Sequence, residues 1–132
     1  MSIAVELTGA RVLFSERAEG DLGRTGGEPS ADVLANRAAL LERCGVRAIN
    51  VPSQVHGASV VTSPDGGGYA VGLVTADGIA TTDCQIAVAV HVADCLPIVI
   101  AGNGGVAMVH AGWRGLAAGV AEAGVAKLAA AG

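Results

Sequence analysis

The chain has 132 residues, 52% hydrophobic and 15% charged, with a formal net charge of −4, which is the length of about one domain and a composition far too apolar for an intrinsically disordered segment. The eight Lys and Arg are spread along the chain and the only aromatics are Phe14, Tyr69 and Trp113, so there is neither a basic stripe for phosphates nor a stacking platform for bases, and nucleic acid is not an expected partner. Ordinary soluble domains are about 25% charged, so the shortfall predicts a surface covered in part by Ala and Gly or by another polypeptide.

The opening Met1–Glu6 lacks the basic start and long apolar run of an export signal, and a cytoplasmic location is expected. Val12–Phe14 reads as a short strand. Ser15–Pro29, with Gly20, Gly23, Gly26 and Gly27 among mixed charges, has the composition of a mobile, substrate-facing surface loop. Ser30 offers an N-cap, Val33, Leu34, Leu40, Leu41 and Cys44 recur at helical spacing, and Gly45 follows as a C-cap, so the spacing predicts a helix over Ala31–Cys44. Cys44 falls on its apolar stripe as a core thiol.

Ile49–Val51 reads as a strand end, and Ala58–Thr62 resumes strand character before a turn around Pro64–Gly68. Ile86–Val92 is a near-continuous apolar run, the mark of a strand covered on both faces. Residues 93–97 interrupt it, Ile98–Ala101 resumes it, and Gly102-Asn103-Gly104-Gly105 is a strong turn signal leading into Val106–His110. After the sharp connection at residues 111–115, Leu116, Val120 and Leu128 trace one side of a helix running to Gly132, with Gly119 and Gly124 inside it, each costing about 1 kcal/mol relative to Ala. The longest apolar stretch, residues 86–101, is interrupted by His91, Asp94 and Pro97, so it reads as a core segment and not as a membrane span. The three cysteines, Cys44, Cys84 and Cys95, form no CxxC pair and leave one unpaired, which speaks against a disulfide framework and leaves a thiol or metal role open.

Three side chains that bind soft or borderline metals each lie beside a strand-ending turn: His56, Cys95 and His110. Their separations in sequence exclude a local zinc-finger clip, so they form a site only by meeting in space. Two imidazoles and one thiolate are a set that zinc uses in catalytic sites, with the fourth position left to water or substrate. Asp94 is costly inside an apolar run unless paired; it reads either as orienting a histidine or Arg114, or as a turn aspartate. Arg114, at a helix start between Gly112 and Gly115, suits an anion. His91 reads as a hydrogen-bonded core histidine or a neighbour of the site, with the core reading favoured. Cys84 reads as an exposed or half-exposed thiol, and Trp113 as a packing anchor for the last helix.

Gln54-Val55-His56-Gly57, Ala76-Asp77-Gly78, Ala93-Asp94-Cys95-Leu96-Pro97 and His110-Ala111-Gly112-Trp113-Arg114-Gly115-Leu116, preceded by Asn36-Arg37 on the helix, together resemble the laccase-domain family, also called polyphenol oxidases. That family includes purine nucleoside phosphorylases and a peptidoglycan editing factor. The resemblance implies an α/β (α+β) fold, a layered sandwich of mixed β-sheet flanked by helices. It covers nearly all of this chain, taken as one domain over 1–132, but only the N-terminal half or slightly more of the family domain, so an incomplete fold with self-association or a missing C-terminal half is expected.

The resemblance further implies a zinc ion held by His56, Cys95 and His110. Copper is disfavoured, because a multicopper oxidase needs many histidines and this chain has three. The implied activity is phosphorolysis of adenosine, inosine, guanosine or methylthioadenosine to a free base and ribose 1-phosphate, with adenosine deaminase activity alongside. Cys95, His56, His110 and Asp94 would be catalytic, and Arg114, Arg17 and Gln54 would bind nucleoside or phosphate. Two other readings stand beside it: a peptidoglycan-precursor hydrolase using Cys95 with a histidine, and an inactive fragment or partner-binding remnant.

Overall fold

The computed structural model describes residues 3–23 and 28–131. The first element is a hairpin of β1 (Ile3–Leu7) and β2 (Ala10–Phe14), paired Leu7 to Ala10 across Thr8-Gly9. Strand β1 is not anticipated from sequence, and every one of its residues is exposed. The loop expected to be mobile is anchored over its described part. Residues 17–19 form a 3-10 turn, the Asn36 side-chain amide donates to the Asp21 carbonyl at 2.9 Å, and Arg37 Nε donates to the Leu22 carbonyl at 2.8 Å. Arg24–Gly27 lies outside the described residues.

Helix α1 runs over Ala31–Cys44 as its caps predict, with the Ser30 hydroxyl accepting from the Val33 N–H at 3.2 Å and Gly45 in the left-handed conformation at φ 67°. Its apolar stripe is less covered than the spacing suggests: Val33 is buried, but Leu40, Leu41 and Cys44 are half-buried and Leu34 is 54% exposed. Burial still pushes the Cys44 thiol up, against the opposing pull of Arg11 and Arg43.

Seven further strands form two sheets. Strands β3 (Ala48–Ser53), β5 (Gly68–Thr75) and β7 (Ile86–Val88) make a parallel sheet in the order β5-β3-β7, and β4 (Val60–Thr62), β6 (Gly78–Thr81), β8 (Leu96–Gly102) and β9 (Gly105–Ala111) make a mixed sheet in the order β4-β6-β9-β8. Strands β5 and β6 are not anticipated from sequence, where a turn around Pro64–Gly68 is read at the start of β5. Helix α1 packs on the edge strand β5, β6 and β7 bring the two sheets together, and the last helix crosses the mixed sheet. The architecture is therefore the expected layered α/β sandwich of mixed sheet flanked by helices.

Two sequence expectations fail for identifiable reasons. The apolar run 86–92 is a strand only to Val88, and beyond it residues 89–95 are irregular and half-buried or exposed. Residues 89–93 line an open cavity of about 860 Å³ together with Val12, Phe14, Cys44, Val99 and Met108. The expected single last helix is two, α2 (Trp113–Ala117) and α3 (Val120–Ala131), because Gly119 takes φ +91° and breaks the helix there. Nor does Trp113 anchor it: the indole is 76% exposed, with the Arg114 guanidinium over its ring at 5.2 Å.

What seats α3 is smallness. A Cβ added at Gly124 would lie 2.7 Å from Ile100 Cδ1 and 3.0 Å from Val109 Cγ2, so helix and sheet approach as closely as a bare backbone permits, with Val60, Val109, Ala111 and Val120 forming the adjoining core. Gly124→Ala would stabilise a free helix, but here it is expected to destabilise the chain by about 1–2 kcal/mol through overpacking. A lowered urea midpoint checks this, and a raised one would refute it.

Candidate metal centre

The three side chains singled out by type do meet. The ligand-capable atoms of His56, Cys95 and His110 all lie within 4.8 Å of one another. His110 is the penultimate residue of β9 and is buried, Cys95 immediately precedes β8 and is half-buried, and His56 lies exposed in the irregular segment after β3. Pairing of Leu96 with Ala111 and of Pro97 with His110 brings the start of β8 alongside the end of β9. The two imidazoles meet edge to face, with centroids 5.0 Å apart. Gly112 forms the floor, since a Cβ there would lie 3.3 Å from His56 Cδ2 and 3.4 Å from Cys95 Sγ.

The residue that organises the cluster is Asp77, which the sequence reading quotes within a motif and gives no role. It is fully buried just ahead of β6. Its Oδ1 accepts the N–H groups of Val55 at 3.0 Å and Gly57 at 2.9 Å, and its Oδ2 accepts that of His56 at 2.9 Å and faces His110 Nδ1 at 2.8 Å. His56 adopts φ 61°, an uncommon conformation for a residue other than Gly, and three successive N–H groups thereby converge on one carboxylate. Burial pushes the Asp77 carboxyl up, but the N–H of Gly57, the His110 ring and the N–H groups of Val55 and His56 together hold it below the usual carboxylate range. An ionised carboxylate only accepts, so His110 Nδ1 carries the proton and Nε2 is left as the ring's electron-pair donor.

The signal for Asp77 was present. It directly precedes the apolar Gly78-Ile79-Ala80, and a carboxylate in that setting needs a partner. Of the two readings of Asp94, its position fits the turn aspartate: it lies exposed in the bend before β8, and among the described residues its side chain makes no hydrogen bond. Asp77, and not Asp94, orients the histidine.

The other expected site residues are placed as follows. The Gln54 amide is taken up by backbone, donating to the His91 carbonyl at 2.7 Å and accepting the His91 N–H at 2.8 Å. His91 is half-buried, its Nε2 is 3.0 Å from the Tyr69 hydroxyl, and burial, aided by Arg37, holds its pKa below the usual histidine value. It is hydrogen-bonded as read, but it is half-buried in irregular backbone beside the open cavity and not in the core. Arg114 is exposed on α2, and Arg17 is exposed in the 3-10 turn; neither is joined to the three ligands by a hydrogen bond or ion pair among the described residues. Cys84 is exposed, as expected.

The donor set fits a metal ion. A tetrahedral ion with bonds of about 2.0–2.3 Å holds its ligand atoms about 3.3–3.8 Å apart, and the atoms of His56, Cys95 and His110, within 4.8 Å of one another, lie close to that spacing.

Comparison with known proteins agrees with this architecture. A family model described as multi-copper polyphenol oxidoreductase laccase matches residues 11–132. Purine nucleoside phosphorylase YlmD of Geobacillus stearothermophilus is 37% identical over 111 residues, 76% of this chain and 40% of that protein. A purine nucleoside phosphorylase of Streptomyces coelicolor is 39% identical over 112 residues, 81% of this chain and 45% of that protein. Among solved structures, a Neisseria meningitidis protein described as DUF152 superposes with a TM-score of 0.66 at 31% identity over 81% of this chain and 43% of its own. The crystal structure of the Geobacillus YlmD gives a TM-score of 0.60 at 32% identity, covering 76% and 41%. The chain thus spans less than half the length of these relatives, and by the match over nearly all of its residues it belongs to the multi-copper polyphenol oxidoreductase laccase family.

Proposed function

We propose that this chain carries the metal centre of a purine nucleoside phosphorylase, cleaving adenosine, inosine, guanosine or methylthioadenosine with phosphate to a free base and ribose 1-phosphate. The observation that carries the reading is the convergence of His56, Cys95 and His110 from three separate segments, together with relatives named as such enzymes. The residues would hold zinc: one thiolate and two imidazoles suit it, and three histidines in all are too few for several copper centres. When bound, the ion supplies a Lewis acid for an attacking or leaving oxygen.

The remaining work belongs to the chain's own groups. Asp77 keeps the proton on His110 Nδ1 and fixes the ring. Arg114, exposed beside the cluster's floor residue Gly112, and Arg17 offer positive charge for phosphate, and Asp94, at the rim next to Cys95, is placed to accept a hydrogen bond from a bound nucleoside. Adenosine deamination would use the same centre with water in place of phosphate. No helix among the described residues is long and apolar enough to cross a membrane, and the cytoplasm, where nucleosides and phosphate meet, is the proposed location. The open apolar cavity and the exposed Ile3, Val5, Leu7 and Phe14 are the faces that the rest of a family-length fold, or a second copy, would cover.

The test is purified chain with inosine and with adenosine, each with and without phosphate, alongside elemental analysis. Base release that requires phosphate, with zinc near one per chain, is expected; a fully metallated chain that releases no base overturns the reading. One feature favours a second reading. Asp77, His110 and Cys95 lie in the order a thiol hydrolase uses, carboxylate to imidazole to sulfur, and a peptidoglycan precursor is the substrate that the family resemblance offers such a hydrolase. Stoichiometric zinc on Cys95 would exclude that free nucleophile.

A further inference from the structure

Two of the three ligands ride on segments without a strand ladder, His56 within residues 54–59 and Cys95 within residues 89–95. The parallel ladder between β3 and β7 runs from Ala48 and Ile86 to Asn50 and Val88, and its last bond is the Ala89 N–H donating to the Asn50 carbonyl at 3.0 Å. Two residues further along β3 is Pro52, which has no N–H to offer, and the backbone pairing stops. A side chain continues it. Gln54 Nε2 donates to the His91 carbonyl at 2.7 Å, and the His91 N–H donates to Gln54 Oε1 at 2.8 Å. A primary amide engaging both the N–H and the C=O of one residue does what a peptide unit does in a hydrogen-bonded strand pair.

We propose that Gln54 is a positioning residue for the metal centre, its amide clasping the segment that carries Cys95 to the segment that carries His56. The inference rests on the reading of the three side chains as metal ligands. Gln54 stands two residues before His56, and His91 four before Cys95. Beyond Cys95 the chain is fixed at once by pairing of Leu96 with Ala111, so the clasp is the restraint on the near side of the thiol as β8 is on the far side. The Tyr69 hydroxyl, 3.0 Å from His91 Nε2, steadies the same residue from β5. Without the amide, residues 89–95 swing about the start of β8 and Cys95 no longer holds its separation from His56, while His110, fixed by β9 and Asp77, stays in place.

Cobalt(II) binding by the full chain tests this, read from the sulfur-to-cobalt charge-transfer band and by competition with a chromophoric chelator, beside urea unfolding of the metal-free chain. Gln54→Leu is expected to weaken cobalt binding about 10–100-fold, and His91→Ala, which keeps the clasped backbone groups, less than about threefold. Gln54→Glu keeps the length and the acceptor but loses the donor; it should fall between the two, and it replaces Gln54→Leu if that variant does not fold. Parent-like affinity in the Gln54 variants overturns the clasp, and so does a lowered unfolding midpoint with affinity and band intensity unmoved. A loss in His91→Ala as large as in Gln54→Leu overturns it too, because the imidazole would then be the restraint. A parent chain that takes up no cobalt overturns the metal reading and the clasp with it.

Discussion

Asp77→Asn is expected to destabilise the metal-free chain by about 3 kcal/mol and to weaken metal binding about 10–100-fold. The amide is the same size as the carboxylate, so packing is not the cause. Its oxygen can still accept from Val55 and Gly57, but its NH2 then faces the His56 N–H, donor against donor, in a fully buried site. It also faces His110 Nδ1 across 2.8 Å, and an NH2 there favours the tautomer in which Nδ1 accepts and Nε2 carries the proton. That tautomer has no electron pair at Nε2 to give to a metal. The left-handed backbone of His56 loses the carboxylate that gathers its N–H with those of its neighbours, so one substitution disturbs two ligands. Urea unfolding and chelator competition measure the two effects separately, and a variant with parental values for both would refute the role assigned to Asp77.

Cys95→Ser is expected to give the opposite pattern, with metal affinity down about 1,000-fold and the stability of the metal-free chain moved by no more than about 0.5 kcal/mol. Serine is nearly isosteric and the position is half-buried, so the fold has little reason to respond. A neutral hydroxyl is a poor ligand where a thiolate was a strong one. Elemental analysis after dialysis reads the first effect and urea unfolding the second, and the proposed phosphate-dependent base release should fall with the metal. A serine variant that binds metal as the parent does, or that keeps the proposed activity without metal, would remove Cys95 from the centre. Read together, the two variants separate a group that binds the ion from one that builds the place where the ion sits.

The sequence picked out the three clustered side chains better than the framework holding them. His56, Cys95 and His110 stood out together because each is a side chain that binds soft or borderline metals and each stands beside a strand-ending turn. Helix α1 was legible to the residue, since Ser30 and Gly45 are local signals that act through neighbouring backbone. Strands β5 and β6 were missed because Gly68, Gly72 and Gly78 punctuate them as if they were turns; yet Gly78 is inside a sheet, where a Cβ would lie 2.6 Å from Val60 Cγ2 and 3.3 Å from Val109 Cγ2. The single long helix was misread for the converse reason, Gly119 serving as a break and not as a tolerated interior residue. Asp77 and Gln54 were underread because their roles depend on partners 20–37 residues away: the apolar run after Asp77 says that it needs a partner, but no local pattern says which.

The β8–β9 hairpin extends the argument to assembly of the fold. Its loop is two residues, Asn103-Gly104, both with positive φ at 55° and 76°, the twisted turn that suits a right-handed strand pair. The loop lies at the opposite end of the strands from Cys95 and His110. Sliding the strands by one position sends alternate side chains to the other face, parting sulfur from imidazole. Cation uptake therefore rewards a single alignment of the hairpin, and a mispaired molecule would identify itself by failing to retain the ion.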